Sequence, residues 1–242
     1  MGDLKIVWAL FDSETCTVAK ALPECEVYSF GKGSGTEHIH LDLSDFETAK
    51  KVLDNYPKPD VIFASPPCES WVKVSVGSIH HFTSRKGFNL FWESKWFPFD
   101  FKPKHRQTRL NGMKTASTTA AIIKHYKPAF WAIENGASSL VFDYLEDFSR
   151  LKGRRNKCNY YAYGFDVLKP TVIYSNISLF LKNFKPRRLL RAVCDNTTGK
   201  LRQLKKQMGL VGFPRNSPLR SLVPIPLYRD IMQKFVKAYC ES

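Results

Sequence analysis

At 242 residues, with 43% hydrophobic and 24% charged side chains, the chain suits one large α/β domain or a core with a small appendage, and bulk disorder is excluded. Its net charge of +15 is one-sided: residues 1–120 carry 15 Lys/Arg against 14 Asp/Glu, and residues 121–242 carry 22 against 8. No apolar run approaches a membrane span, and six cysteines without a Cys-x-x-Cys pair disfavour a metal site or disulfide framework, so a reducing cytoplasm is expected.

The first apolar run, KIVWALF (5–11), is flanked by Asp3 and Asp12 and reads as a strand rather than a signal peptide. VAKAL (18–22) reads as a short helix, and EVYSF (26–30) and HIHLD (38–42) as the next two strands. In SDFETAKKVLDNY (44–56), Ser44 and Glu47 stand at capping-box spacing and open a helix. DVIFAS (60–65) is the fourth strand, KTASTTAAIIKHY (114–126) a helix, and AFWAIE (129–134) the fifth strand. Such alternation implies a parallel sheet with helices on both faces. Further on, KCNYYAYGF (157–165) and TVIYS (171–175) read as strands, and IPLYRDIMQKFVKAY (225–239) as a helix with Pro226 in its first turn.

One stretch departs from this rhythm. Trp71 to Phe101 holds nine aromatic residues with little periodicity, which predicts a flap packed over the strand ends, spanning 71–112.

The candidate chemistry begins at DVIFASPPCESW (60–71). Cys68 has the bland reading of a small buried core thiol. Two prolines before it argue for more: they end the strand and present the thiol in a fixed direction, at the edge where open α/β sheets keep their sites. Glu134 ends the fifth strand and, in a parallel sheet, opens on the same edge. Alone it reads as a surface residue or helix cap; beside Cys68 it is a candidate acid. Between Lys182 and Lys206 nine basic residues meet one acidic residue, Asp195, and a polyanion such as nucleic acid is the natural partner. Without bulky apolar anchors in an amphipathic helix there, a membrane surface is disfavoured.

PDVIFASPPCESW, YKPAFWAIENG, YYAYGFDVLKPTVIYSN (160–176) and RSLVPIPLYRDI (220–231) together resemble the DNA (cytosine-5) methyltransferases, in particular the short phage and prophage type of restriction–modification systems. The resemblance implies a three-layer Rossmann-like S-adenosylmethionine-dependent methyltransferase fold with a mostly parallel sheet. It assigns Cys68 as the thiolate that adds to ring carbon 6 of a flipped cytosine, and Glu134 as the acid on ring N3. It makes Asn135 the brace of the turn that positions Glu134. It places the cofactor against Asp12, Ser13, Thr15, Thr17, Asp42 and Pro66. Double-stranded DNA is the implied partner, gripped by basic residues such as Arg187, Arg188 and Lys205. RNA is an alternative substrate, and a partner subunit an option for so short a chain.

Against the family pattern, the two glycines of the loop after the first strand are replaced by Glu14 and Cys16. Gly31 and Lys32 stand where the family has an acidic residue for the ribose. The implied organisation is a catalytic core over 1–176, a basic target-recognition segment over 177–219, and a C-terminal helix over 220–242 packing back on the core. A bacterial or phage-infected cytoplasm is the implied location. A non-catalytic nucleic-acid-binding relative with a decayed cofactor pocket remains the alternative reading.

Overall fold

Along the first strand, β1 (Ile6–Leu10), Val7 and Ala9 turn to one side and Trp8 and Leu10 to the other, and all four are buried. A strand buried on both faces belongs inside a sheet covered twice, as parallel strands joined by helices are. The computed structural model, which describes residues 4–12, 16–33, 38–71, 103–165, 168–184, 192–194, 201–203 and 222–241, contains that sheet.

Beside β1 it holds β2 (Glu26–Gly31), β3 (His38–His40), β4 (Val61–Ala64), β5 (Phe130–Gly136), β6 (Arg154–Asn159) and β7 (Pro170–Ser175), in the order β3-β2-β1-β4-β5-β7-β6. The first five strands pair in parallel. β7 runs against both neighbours, so β6 points the same way as β5. Helices on both faces and an antiparallel β7 between β5 and β6 make this a Rossmann-like fold, with the mostly parallel sheet that the sequence predicts.

Two apolar layers cover the sheet. Trp8, Leu10, Ile62, Ala64, Trp131 and Ile133 meet α2 (Phe46–Leu53), α3 (Pro103–Tyr126) and α4 (Val141–Asp147) on one face. Val7, Ala9, Val61, Phe63, Phe130 and Ala132 meet α1 (Thr17–Ala21) and α5 (Ile225–Cys240) on the other. Phe235 of α5 stacks on Phe130 with ring centroids 4.9 Å apart, a burial that contributes about 2–3 kcal/mol.

Several elements differ from the sequence reading. α2 is capped by Asp45, whose side chain accepts from Thr48 N–H at 2.9 Å, so the Ser44–Glu47 box is not formed. α3 begins at Pro103, inside the span expected of the flap. Trp71, expected in that flap, is fully buried in the core; residues 72–102 lie outside the described residues. β6 ends at Asn159, whose side chain accepts from Tyr161 N–H at 3.2 Å and turns the chain into a 3-10 helix over Tyr160–Tyr163, where a strand is expected. Gly164, at φ 90°, closes that helix in a conformation that favours glycine. α4 is unexpected, since its apolar residues are too few to mark a period. So is an antiparallel pair in the basic segment, β8 (Ala192–Cys194) with β9 (Leu201–Gln203). Among the described residues no helix is long and apolar enough to cross a membrane.

Candidate active site

The turn after β4 is held at both ends. Ser65 N–H donates to Leu10 O at 3.1 Å and continues the sheet for one more residue; Pro66 and Pro67 then stop it. Trp71 N–H closes the turn on Cys68 O at 3.0 Å, and Leu140 N–H, at the head of α4, fastens to Trp71 O at 3.0 Å. α3 presses on the same turn at Gly112, where a Cβ would stand 2.0 Å from Ser70 Oγ. Cys68 is exposed on this braced turn.

The end of β5 meets it. The buried Asn135 donates from Nδ2 to Pro66 O at 2.9 Å, and its Oδ1 accepts from Gly136 N–H at 3.1 Å. The brace expected of Asn135 therefore reaches across to the cysteine turn as well as along its own strand. Glu134, one residue earlier, accepts from the Tyr160 hydroxyl at 2.6 Å on Oε1. Lys169 Nζ lies 3.8 Å from the same oxygen and 4.4 Å from the centre of the Tyr160 ring. The topology explains this grouping: β6 ends and β7 begins at the edge where β5 ends, so Tyr160 and Lys169 flank Glu134.

Charge at the site is coupled. Burial pushes the Cys68 thiol up although the residue reaches the surface, because its surroundings are densely packed; the Glu134 carboxylate adds to the rise and Lys169 opposes it. Burial raises the Tyr160 hydroxyl well above its ordinary range, with the charge of Glu134 and its hydrogen bond adding to it, so the phenol remains a donor. Cys158, on β6, is pushed up to about 12 by burial first and then by Glu134. Tyr228 of α5 is likewise raised by burial, then by Asp12 and Glu134, while a hydrogen bond with Ser65 works the other way.

Of the expected cofactor residues, Asp12, Thr17, Asp42 and Pro66 lie at the C-terminal edge of β1–β4. Asp12 accepts from Ser29 Oγ at 2.9 Å and from Val18 N–H at 3.4 Å, tying the loop after β1 to β2 and α1. Thr17 opens α1 and is buried. Pro66 offers the carbonyl that Asn135 uses. Asp42 follows β3, exposed, with its oxygens engaged by Ser44 N–H at 2.9 Å and Lys32 Nζ at 3.0 Å. Burial acts to raise the Asp42 carboxyl, but the Ser44 and Lys32 hydrogen bonds outweigh it and hold it below the usual range. Ser13, Thr15, Arg187, Arg188 and Lys205 lie outside the described residues.

Two observations test whether this edge fits S-adenosylmethionine. Cys16 has φ 46° and ψ 56°, a left-handed conformation, so the backbone keeps a turn that glycine favours although the glycine is gone. His38 is buried with Nε2 3.1 Å from Asp12 O; a carbonyl can only accept, so Nε2 donates to it, and Nδ1 is buried without a partner among the described residues. An unpaired buried ring nitrogen beside the end of β1 suits a polar group of a ligand, such as a ribose hydroxyl. The residues present fit the cofactor.

Sequence reasoning missed Tyr160, Lys169 and Tyr228 as parts of the site. The stretch holding Tyr160 and Lys169 is distinctive, but their convergence on Glu134 follows from the reversal of β7, which no local pattern marks.

No family model matches the sequence, and neither does any curated protein. Among solved structures the chain is similar to the Entamoeba histolytica methyltransferase EhMeth, at 14% identity and a TM-score of 0.46, over 76% of this chain and 58% of that one. It is also similar to an E. coli prophage-encoded protein named as a DNA modification methyltransferase, at 14% identity and a TM-score of 0.37, over 71% and 46%. The chain thus spans less than two thirds of the length of either.

Proposed function

We propose that this chain transfers a methyl group to carbon 5 of cytosine in DNA through a covalent adduct on Cys68. The observation that carries the reading is the 2.9 Å bond from Asn135 to Pro66, which couples the thiol-bearing turn to the strand end bearing Glu134. Prolines aim the thiol, and the acid arrives from the neighbouring strand.

Cytosine is electron-poor at carbon 6 and unreactive at carbon 5. When the Cys68 thiolate forms a bond to carbon 6, Glu134 gives a proton to N3 and the ring electrons become available at carbon 5. S-adenosylmethionine, when bound, supplies the methyl group. Water then takes the carbon 5 hydrogen as a proton, the sulfur–carbon bond breaks to release the Cys68 thiolate, and N3 returns its proton to Glu134 as the aromatic ring is restored.

The proton needs of the two residues are complementary. Cys68 has to give up a proton that burial and the Glu134 charge make it keep, and Glu134 has to carry one to N3. One proton moved from thiol to carboxylate meets both needs and removes the charge that opposes the thiolate. Lys169, which favours the thiolate, stays in place. A stacked duplex hides the base, so it has to be flipped out, and the basic second half supplies the backbone grip. Asp12, Thr17, His38 and the turn at Cys16 would hold the cofactor.

Transfer of tritium from labelled S-adenosylmethionine to DNA and to RNA, run side by side, tests the reading. Label in DNA, with a covalent adduct on 5-fluorocytosine duplex, is the expected result; label in RNA alone would move the same chemistry to RNA. No transfer and no adduct, with nucleic-acid binding intact, would make the chain a non-catalytic binding protein.

A further inference from the structure

Beyond Ser175 the chain doubles back along the open edge of β6. Leu179 N–H donates to the buried Asn156 Oδ1 at 2.6 Å, Lys182 N–H to Tyr163 Oη at 2.9 Å, and Asn159 N–H to Lys182 O at 3.4 Å. Leu179 is buried, and Leu181 N–H returns to Leu179 O at 3.1 Å, a three-residue turn with Phe180 at its tip. This backbone is fastened down, yet it carries Phe180 at 90% exposure and Phe184 at 57%. Lys182, exposed, stands between them and opens the run of nine basic residues that ends at Lys206. Phe184 meets the ring of Tyr161 edge-on at 6.3 Å, and Tyr161 is the neighbour of the Tyr160 that holds Glu134. Two aromatic faces and a lysine thus form a strip along the sheet edge that ends at the rim of the candidate site.

We propose that this strip is a stacking platform for a single-stranded or locally unpaired stretch of nucleic acid, whose bases lie on Phe180 and Phe184 while Lys182 faces the backbone. The chemistry favours this occupant. Apolar rings held in water cost free energy that stacking on an unpaired base recovers, every base has a π-face, and the exposed Lys182 between them suits phosphate. An apolar protein partner would leave the basic excess of this half of the chain unmatched. The inference deepens the nucleic-acid part of the proposed function and does not depend on methyl transfer.

The test is fluorescence anisotropy of the full chain with labelled short single-stranded DNA, the same sequence as RNA, and the DNA duplex, each over a range of salt. Phe180→Ala and Phe184→Ala are each expected to weaken single-strand binding on the order of tenfold and duplex binding less. The log–log salt slope should stay unchanged, because no phosphate contact is lost. Phe180→Trp should retain affinity, and Phe148→Ala, an aromatic exposed to 52% on another surface, should change nothing. Tighter binding of the DNA or the RNA strand would name the sugar, and either supports the platform. Single-strand affinities of both alanine variants within twofold of the natural chain would overturn it. So would equal losses on duplex and single strand, or a dimer that Phe180→Ala converts to monomer, which would give the strip to a second copy. A chain that binds single strands through these rings but never methylates would keep the platform and remove the proposed function.

Discussion

Asn135 donates its side-chain amide to the carbonyl of Pro66, and through this buried 2.9 Å bond the end of one strand holds the turn after its neighbour. Asn135→Ala leaves that carbonyl without the donor, at a cost of about 1–3 kcal/mol, and frees the turn that aims Cys68. Urea denaturation and methyl transfer should both register the change, and activity should fall further than stability explains. A variant as stable and active as the natural chain would remove Asn135 from the site's architecture.

Cys68→Ser should abolish methyl transfer while leaving DNA affinity within a few-fold, since a hydroxyl is a far weaker nucleophile and the basic grip lies elsewhere. The natural chain should be trapped on 5-fluorocytosine duplex, where fluorine blocks the elimination that frees the enzyme, and the serine variant should not. Turnover surviving in the serine variant would defeat the adduct mechanism.

The thiol's reactivity should follow the charges around it. Burial, Glu134 and Glu69 raise Cys68, and Lys169 lowers it. Glu134→Gln removes a raising charge, so the thiolate fraction at neutral pH grows and alkylation by iodoacetamide at Cys68 speeds up. Lys169→Met removes the opposing charge and slows it. Site-resolved mass spectrometry separates Cys68 from the exposed Cys240. Opposite signs, or no change in either variant, would refute the coupling.

Tyr160→Phe deletes the 2.6 Å donor to Glu134 while keeping the ring under Lys169. Methyl transfer should drop on the order of 10²-fold, the usual scale of a disturbed general acid, while alkylation of Cys68 remains detectable. Unchanged turnover would show that Glu134 is held by other means.

Cys16 tests the loop after β1. Alanine normally exceeds glycine in stability, but at φ 46° the order should reverse, with Cys16→Gly more stable than Cys16→Ala by about 1 kcal/mol. Both variants lose the thiol, so the comparison isolates the backbone. The usual order would mean that the left-handed turn is not maintained in solution.

Much of this was legible residue by residue. KIVWALF and DVIFAS announce strands buried on both faces, and Pro-Pro after β4 announces where the chain must turn, because each signal is local. Placing Cys68 and Glu134 at one edge of the sheet needed only one further assumption, that β4 and β5 run parallel. Tyr160 and Lys169 stayed hidden for the opposite reason: their roles depend on a strand that runs backwards, and KCNYYAYGF reads as continuous strand until Asn159 spends its side chain on Tyr161 N–H. The cap of α2 was missed by one residue because Ser44 and Asp45 are both good capping types, and the buried Leu43 and Ala49 decide the phase.

The reversal of β7 divides the labour of the site in a way that bears on its history. The proposed nucleophile stands on the turn after β4 and the proposed acid on β5, two parallel strands packed on both faces. Tyr160 and Lys169, which flank Glu134, stand at the two ends of the connection from β6 to β7. Connections of this kind tolerate changes of length and composition that strands do not. Under the proposed function, editing this one connection would retune the Cys68 thiol while leaving the strands that position it untouched.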